Sequence, residues 1–309
     1  MLKKLLALLL SISLLLGASG CARPAKEAPR LRVVASFYPI YIMGLNITDG
    51  VPGVELSNMA GRQTGCLHDF QIQTDDMKNL ESADAFLING AGMESFLDKV
   101  VDELPDLMVI DSSTGIPLLE SGAEEGHHHS HEDGEHSHDH EDNPHLWVSV
   151  DNCIQQVKNL SEGLAELDPA YADAYRQNAD EYVGKLTALR DKMHEELSDL
   201  STRDIITFHE AFPYFADEFD LHIAAVINRE PESEPSAREL AGIIRLVRQT
   251  GVRALFVEPQ YSRTAADIVQ AETNAKVYIL DPAVSGEEDK DAYLNIMEQN
   301  LQTLLEALK

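Results

Sequence analysis

Basic residues are scarce in this 309-residue chain: 24 Lys and Arg stand against 53 Asp and Glu, a formal net charge of −29. So acidic a protein has no electropositive face to offer phosphates, which excludes nucleic acid as a partner. Cysteine is nearly absent, with three in all, so at most one disulfide can close within the chain. Long apolar runs are missing too. The longest, Leu5 to Leu16, falls short of the roughly 20 residues a membrane-spanning helix needs. No HExxH metalloprotease motif occurs, and no motif-level repeat links the two halves. What remains is 44% hydrophobic, ample for cores, at a length that allows two domains.

The N-terminus has the three parts of an export signal: Lys3 and Lys4, the apolar core, then small residues. Ala18-Ser19-Gly20-Cys21 resembles a lipobox, although Ala18 stands where Leu is commoner. Residues 1–20 are therefore expected to be removed, leaving Cys21 acylated and residues 21–30 as a linker from a lipid-anchored end. The protein would then sit outside the cytoplasm, tethered to a membrane. Nothing there keeps thiols reduced, so Cys66 and Cys153 are free to pair, and sequence leaves that possible disulfide open.

Strand-like and helix-like stretches alternate from residue 31. Strands are predicted at 31–37, 54–60, 85–90 and 107–113, with helices at 38–50, 74–83 (Thr74 as N-cap) and 93–104. Two helical stretches follow from about 149 to 200, broken near Asp168-Pro169. In the second, Tyr171, Tyr175, Tyr182, Leu186, Leu189, Met193, Leu197 and Leu200 form one apolar stripe, which reads as core packing. Strands then recur at 204–208, 222–227, 253–257 and 276–280, with helices near 213–220, 236–249, 263–273 and 291–308. The expected fold is α/β: two (βα)4-type lobes with mainly parallel sheets, joined by a single long helix. The expected divisions are an N-terminal lobe over 31–167, the connecting helix over 168–200 and a C-terminal lobe over 201–309.

Four potential metal ligands lie at or just beyond predicted strands: His68, His145, His209 and Asp281. Parallel α/β sheets bind ligands outside the carboxyl ends of their strands, so two residues from each lobe can meet in one interlobe cleft. Three imidazoles and a carboxylate suit tetrahedral Zn²⁺. Singly, each residue is as readily a surface or core group, and Asp281 before Pro282 can simply start a turn. Glu258 at another strand end is a reserve ligand, or else a cap for the helix after it. Asp69 and Glu210 could accept imidazole N–H groups, or be inert loop charges. If Asp281 did not coordinate, the three histidines would leave an open position. Glu210 would then be a conceivable base, as in a zinc hydrolase.

TFHEAFPYFADEFDL, NPHLWVS and VYILDP resemble the cluster A-I solute-binding proteins of ABC transporters that import zinc or manganese. The order of motifs and the long central helix extend the resemblance across nearly the whole mature chain. It implies His68, His145, His209 and Asp281 as the ligands, an ABC permease as partner, a monomeric binding protein and no enzymatic activity. In that family manganese binders typically carry Glu at the third ligand position and zinc binders His. His209 thus points to the zinc branch, in keeping with imidazole chemistry; Mn²⁺ is the less favoured cargo. A manganese receptor, or an adhesin of the same family, is the alternative. One departure stands out. The family's first motif usually reads Pro-His-x-Tyr-Glu-Pro, whereas here it is Cys66-Leu67-His68-Asp69-Phe70-Gln71.

Eight of the twelve histidines fall in GHHHSHEDGEHSHDHEDNPH, residues 126–145. His145 belongs with NPHLWVS. The others (His127, His128, His129, His131, His136, His138 and His140) alternate with acids, Gly and Ser in a segment that has nothing to bury. Within the His/acid-rich loop 124–142 they would bind Zn²⁺ weakly and in several arrangements, because each arrangement costs chain entropy. The resemblance implies such a loop in zinc-type members. It would act as a low-affinity collector or sensor, or be merely solvated.

Overall fold

The computed structural model describes residues 29–61, 67, 70–121, 142–227, 236–260 and 263–309. Apolar runs of four or five residues make the strands, and several are buried along almost their whole length, as in a parallel sheet covered on both faces. The first lobe places β1 (Leu31–Ala35), β2 (Val54–Asn58), β3 (Ala85–Ile88) and β4 (Met108–Asp111) in the order β2-β1-β3-β4, all parallel. Helices α1 (Tyr38–Ile47), α2 (Thr74–Glu81) and α3 (Leu97–Glu103) connect them.

A 3₁₀ turn (Leu146–Val148) leads into α4 (Val150–Leu167) and α5 (Ala172–Leu197). The second lobe repeats the topology. Strands β5 (Asp204–Thr207), β6 (His222–Val226), β7 (Ala254–Val257) and β8 (Lys276–Ile279) lie in the order β6-β5-β7-β8, again all parallel. Its helices are α6 (Pro213–Glu218), α7 (Ala237–Thr250), α8 (Arg263–Glu272) and α9 (Ala292–Leu308). The two-lobed α/β fold with parallel sheets is as the alternating pattern requires.

The structure departs from the local expectations at two helix starts. The N-cap of α2 is Gln73, not Thr74, because Asp76 reaches back to accept the Gln73 N–H at 2.8 Å. Helix α3 begins at Leu97 and not at 93. Residues Gly90, Ala91 and Gly92 turn with positive φ, and the Glu94 carboxylate folds back onto the backbone N–H groups of Asn89 and Gly90.

The predicted stripe on α5 is buried through Tyr175, Tyr182, Leu186, Leu189, Met193 and Leu197. Its Tyr171 instead lies in the turn before the helix, under the Arg30 guanidinium, and its Leu200 lies past the helix end and is only partly buried. One continuous hydrophobic core takes in Val33 and Phe86 of the first lobe, this stripe, and Phe215, Phe256 and Met297 of the second. The lobes therefore share apolar packing along α5 and α9 and are not linked by a bare hinge.

A buried carboxylate adds a polar tie. Glu218, at the end of α6, has a side chain only 5% exposed and accepts the Val150 N–H at 2.7 Å and the Asp151 N–H at 3.2 Å. A residue of the second lobe thus satisfies the N-terminus of α4, where backbone donors have no partner within the helix. Burial pushes its carboxyl up to about 7. Glu218→Ala leaves both N–H groups without it and should cost about 2 kcal/mol, read as a lower denaturation midpoint of the metal-free protein. Glu218→Gln, which keeps one acceptor oxygen, should cost less.

Candidate metal site

The two parallel sheets have matching switch points, between β1 and β3 and between β5 and β7, where a crevice opens beyond the strand ends. In the second lobe Thr207 pairs with Phe256, so His209 and Glu258, each two residues further on, leave the sheet at the same level. Beside them the Leu280 N–H bonds to the Val257 carbonyl, which brings Asp281 next to Glu258.

From the first lobe comes Asn143-Pro144-His145. The Asn143 side-chain oxygen accepts the His145 backbone N–H at 3.0 Å and lies 3.0 Å from His145 Nδ1. The Asn143 amide nitrogen donates to the Glu210 carbonyl at 2.9 Å, which orients the amide. An amide oxygen only accepts, so Nδ1 of His145 carries the proton and Nε2 presents a lone pair. That Nε2 lies 3.1 Å from Nε2 of His209, with the two rings nearly perpendicular at 83°. Two nitrogens on one tetrahedral zinc lie about 3.3 Å apart, so the pair is spaced to share an ion.

The carboxylates point the same way. Glu258 is 3% exposed, and its Oε1 has no hydrogen-bond partner among the described residues. Burial, with the charge of Asp281 next, pushes Glu258 up to about 8. Asp281 is also raised by burial, although its Oδ1 accepts the Ala283 N–H at 2.8 Å. Two buried carboxyls, one of them raised further by the charge of the other, make a place that favours a cation. A cavity of about 590 Å³ opens beside Asp281, rimmed by the exposed Glu287, Glu288 and Asp289, whose charges favour the approach of cations.

The first lobe's switch point holds a counterpart that is fully satisfied. Glu94 accepts from Ser36 Oγ at 2.7 Å, Asn89 N at 2.8 Å and Gly90 N at 3.1 Å. Asn89 in turn donates to the Pro144 carbonyl and accepts from Gln156, so this buried network forms the floor under His145.

Of the candidates read from sequence, the structure joins His145 with His209, and Glu258 with Asp281. Glu210 contributes its backbone carbonyl. His68, Asp69, Cys66, Cys21 and the histidines from His127 to His140 lie outside the described residues. Cys153 is a buried free thiol in contact with the Tyr293 hydroxyl, raised by burial. Asn143, Asn89 and Glu94 escaped the sequence reading. For Asn143 alone a signal existed: an Asx turn two residues before a candidate ligand. Among the described residues, the one group of three possible ligands with atoms within 4.8 Å of one another is Asp151, His194 and Glu218, so neither Glu258 nor Asp281 lies that close to both imidazoles. There Arg190 lies 2.7 Å from Asp151 and Glu218 holds a helix N-terminus, so both carboxylates are already engaged by positive partners.

Residues 33–307 match the model of the ZnuA family, described as zinc-uptake complex component A, periplasmic. The chain belongs to this family. It is 30% identical over 307 residues to the zinc-binding lipoprotein AdcA of Streptococcus pneumoniae serotype 4, covering 97% of this chain but 60% of that longer protein. It is 29% identical to the high-affinity zinc uptake system protein ZnuA of Bacillus subtilis, covering 91% of this chain and 89% of that one. Among solved structures, Zn(II)-bound AdcA from S. pneumoniae superposes with a TM-score of 0.76 at 26% identity, covering 90% of this chain and 57% of that chain. The solute-binding protein FpvC of Pseudomonas aeruginosa, in complex with Mn²⁺, gives a TM-score of 0.76 at 27% identity, covering 90% and 98%. No described helix is long and apolar enough to cross a membrane.

The ZnuA-type scaffold carries a pH signature of its own. Burial pushes Glu94 from the ordinary 4.5 to about 7. Its folded value is raised, so the stability it contributes is present below about 4.5 and is lost as pH rises through about 7. The melting temperature of the metal-free protein should accordingly fall between pH 5 and pH 8. Glu94→Gln should flatten that fall without abolishing it, since Glu218 and Glu258 act in the same direction.

Proposed function

We propose that this chain is the extracytoplasmic, lipid-anchored receptor of a zinc uptake system, which captures Zn²⁺ and hands it to an ABC permease. The observation that carries this reading is the His145–His209 pair: two Nε2 atoms 3.1 Å apart, one with its lone pair set by Asn143, at a strand end level with buried Glu258, whose Oε1 has no hydrogen-bond partner among the described residues. His68, His145, His209 and Asp281 are assigned as ligands, with Glu258 in reserve. Imidazole nitrogen favours Zn²⁺ over Mn²⁺, which prefers oxygen. Four protein ligands leave no position for a reactive water, so the site holds a cargo and supports no hydrolysis.

In the same reading residues 1–20 are a signal peptide and Cys21 carries the lipid, with residues 21–30 as the tether. The lobes are residues 31–167 and 201–309, on either side of the helix at 168–200. The protein works as a monomer. The His/acid-rich loop 124–142 serves as a low-affinity collector that raises the local zinc concentration near the tight site. The names of the zinc-binding lipoprotein AdcA and the high-affinity zinc uptake system protein ZnuA support the zinc cargo, and the first supports the lipid anchor.

Zinc binding needs neutral imidazoles and ionised carboxylates, and both requirements fail as pH falls. Chelator-competition titration of the mature protein should show at least a hundredfold weaker tight site at pH 5.5 than at pH 7.5, as histidines of ordinary value near 6.5 become protonated. Equal affinities would contradict the ligand set. Deletion of residues 124–142 should remove the weak sites and leave one tight equivalent per chain.

A further inference from the structure

The chain has a single tryptophan, Trp147, two residues after His145 and 0% exposed. Its indole N–H donates to the Pro282 carbonyl at 2.6 Å, a contact between segments 135 residues apart. The Trp147 carbonyl in turn accepts the Tyr293 hydroxyl at 2.8 Å, and the indole packs edge-on against Phe37. The ring is therefore held on both sides and has little freedom.

What it holds is the turn that bears Asp281. Ala283 adopts a left-handed φ of 59°, which an L side chain disfavours. The turn is closed by the Ala283 N–H on Asp281 Oδ1 and by Asn300, which bonds both backbone groups of Asp281. The Pro282 carbonyl sits in the middle of this turn, on a buried residue, and the indole N–H is its donor. Removing that donor leaves a buried acceptor unpaired and frees the turn to relax from its disfavoured geometry. The carboxylate of Asp281 would then lose its aim.

We propose that Trp147 is a positioning residue of the metal site, which holds Asp281 in coordinating orientation through the Pro282 carbonyl. The loop that supplies His145 thus also sets the fourth ligand from the opposite lobe. The inference rests on the reading of Asp281 as a ligand.

The test is a double-mutant cycle on the mature chain, with zinc affinity measured by chelator competition and Co²⁺ absorption as a readout of coordination. Trp147→Phe, which keeps a ring against Phe37 but lacks the N–H, should weaken zinc by about ten- to a hundredfold. It should also shift the Co²⁺ bands toward those of Asp281→Ala. In the Asp281→Ala background it should cost nothing further. An unchanged affinity in Trp147→Phe overturns the proposal. So does a loss that persists undiminished without Asp281, since Trp147 would then act through its contact with the His145 ring. If Asp281→Ala alone binds zinc as the parent does, the ligand assignment fails first and the proposal with it, an outcome visible in that single variant. Should circular dichroism show Trp147→Phe unfolded, Tyr293→Phe replaces it in the cycle. Loosening the indole from its backbone side should give a smaller loss that likewise requires Asp281.

Discussion

The site turns on one side-chain amide. Asn143 takes both N–H groups of His145 on a single oxygen and gives its own N–H to the backbone beside His209. The first pair of contacts selects the tautomer, and the last fixes where the opposite lobe stands relative to it. Without the amide, His145 could carry its proton on either nitrogen, and one of the two tautomers would turn a donor toward the other histidine. An imidazole pair becomes a metal site only when both lone pairs are free and converge. Tyr214 adds support, since its hydroxyl donates to the Asn143 carbonyl and accepts the Leu119 N–H.

The duplicated topology explains why the lobes play unequal parts. Each switch point holds a buried glutamate, but Glu94 has three donors and Glu258 has an oxygen with none among the described residues. A buried carboxyl that is fully hydrogen-bonded is structural material; one left partly unpaired carries an energetic cost that a proton relieves, or a cation in its place. The first lobe thus spends its buried acid on a rigid floor beneath His145, while the second leaves an oxygen of its acid unpaired at the matching strand end.

Much of this was legible in the residues. Short apolar runs ending in His209, Glu258 and Asp281 mark strand ends, and parallel α/β geometry sends such residues to one rim. The long stripe from Tyr175 to Leu197 announced a helix buried along one face. What stayed hidden depends on pairings far apart in sequence. Trp147 to Pro282 and Asn143 to Glu210 are invisible to periodicity, because nothing local distinguishes a tryptophan that fills a core from one that aims a carbonyl. The start of α3 was misplaced for a related reason. Glu94 looked like an ordinary helix residue, but its carboxylate prefers the backbone donors of the preceding turn.

These contacts bear on how cargo enters and leaves. The lobes share a hydrophobic core along α5 and α9, and separating them would expose Phe215, Phe256 and Met297 together with the first lobe's own core. That much apolar surface, at about 25 cal/mol per Å², makes a wide opening prohibitive. The exposed segment that follows the Asp281 turn is attached more lightly. The segment after Asp281 is strapped to the first lobe by Tyr38 on the Glu287 carbonyl, Asn46 on the Lys290 carbonyl and Lys290 on Asp49, with most of its residues exposed. Such bonds exchange readily with water, so the path of lowest cost is local. Movement at the site should therefore begin in the exposed residues 286–290, while the turn bearing Asp281, held by Trp147 and Asn300, stays with the packed lobes and the His145 loop.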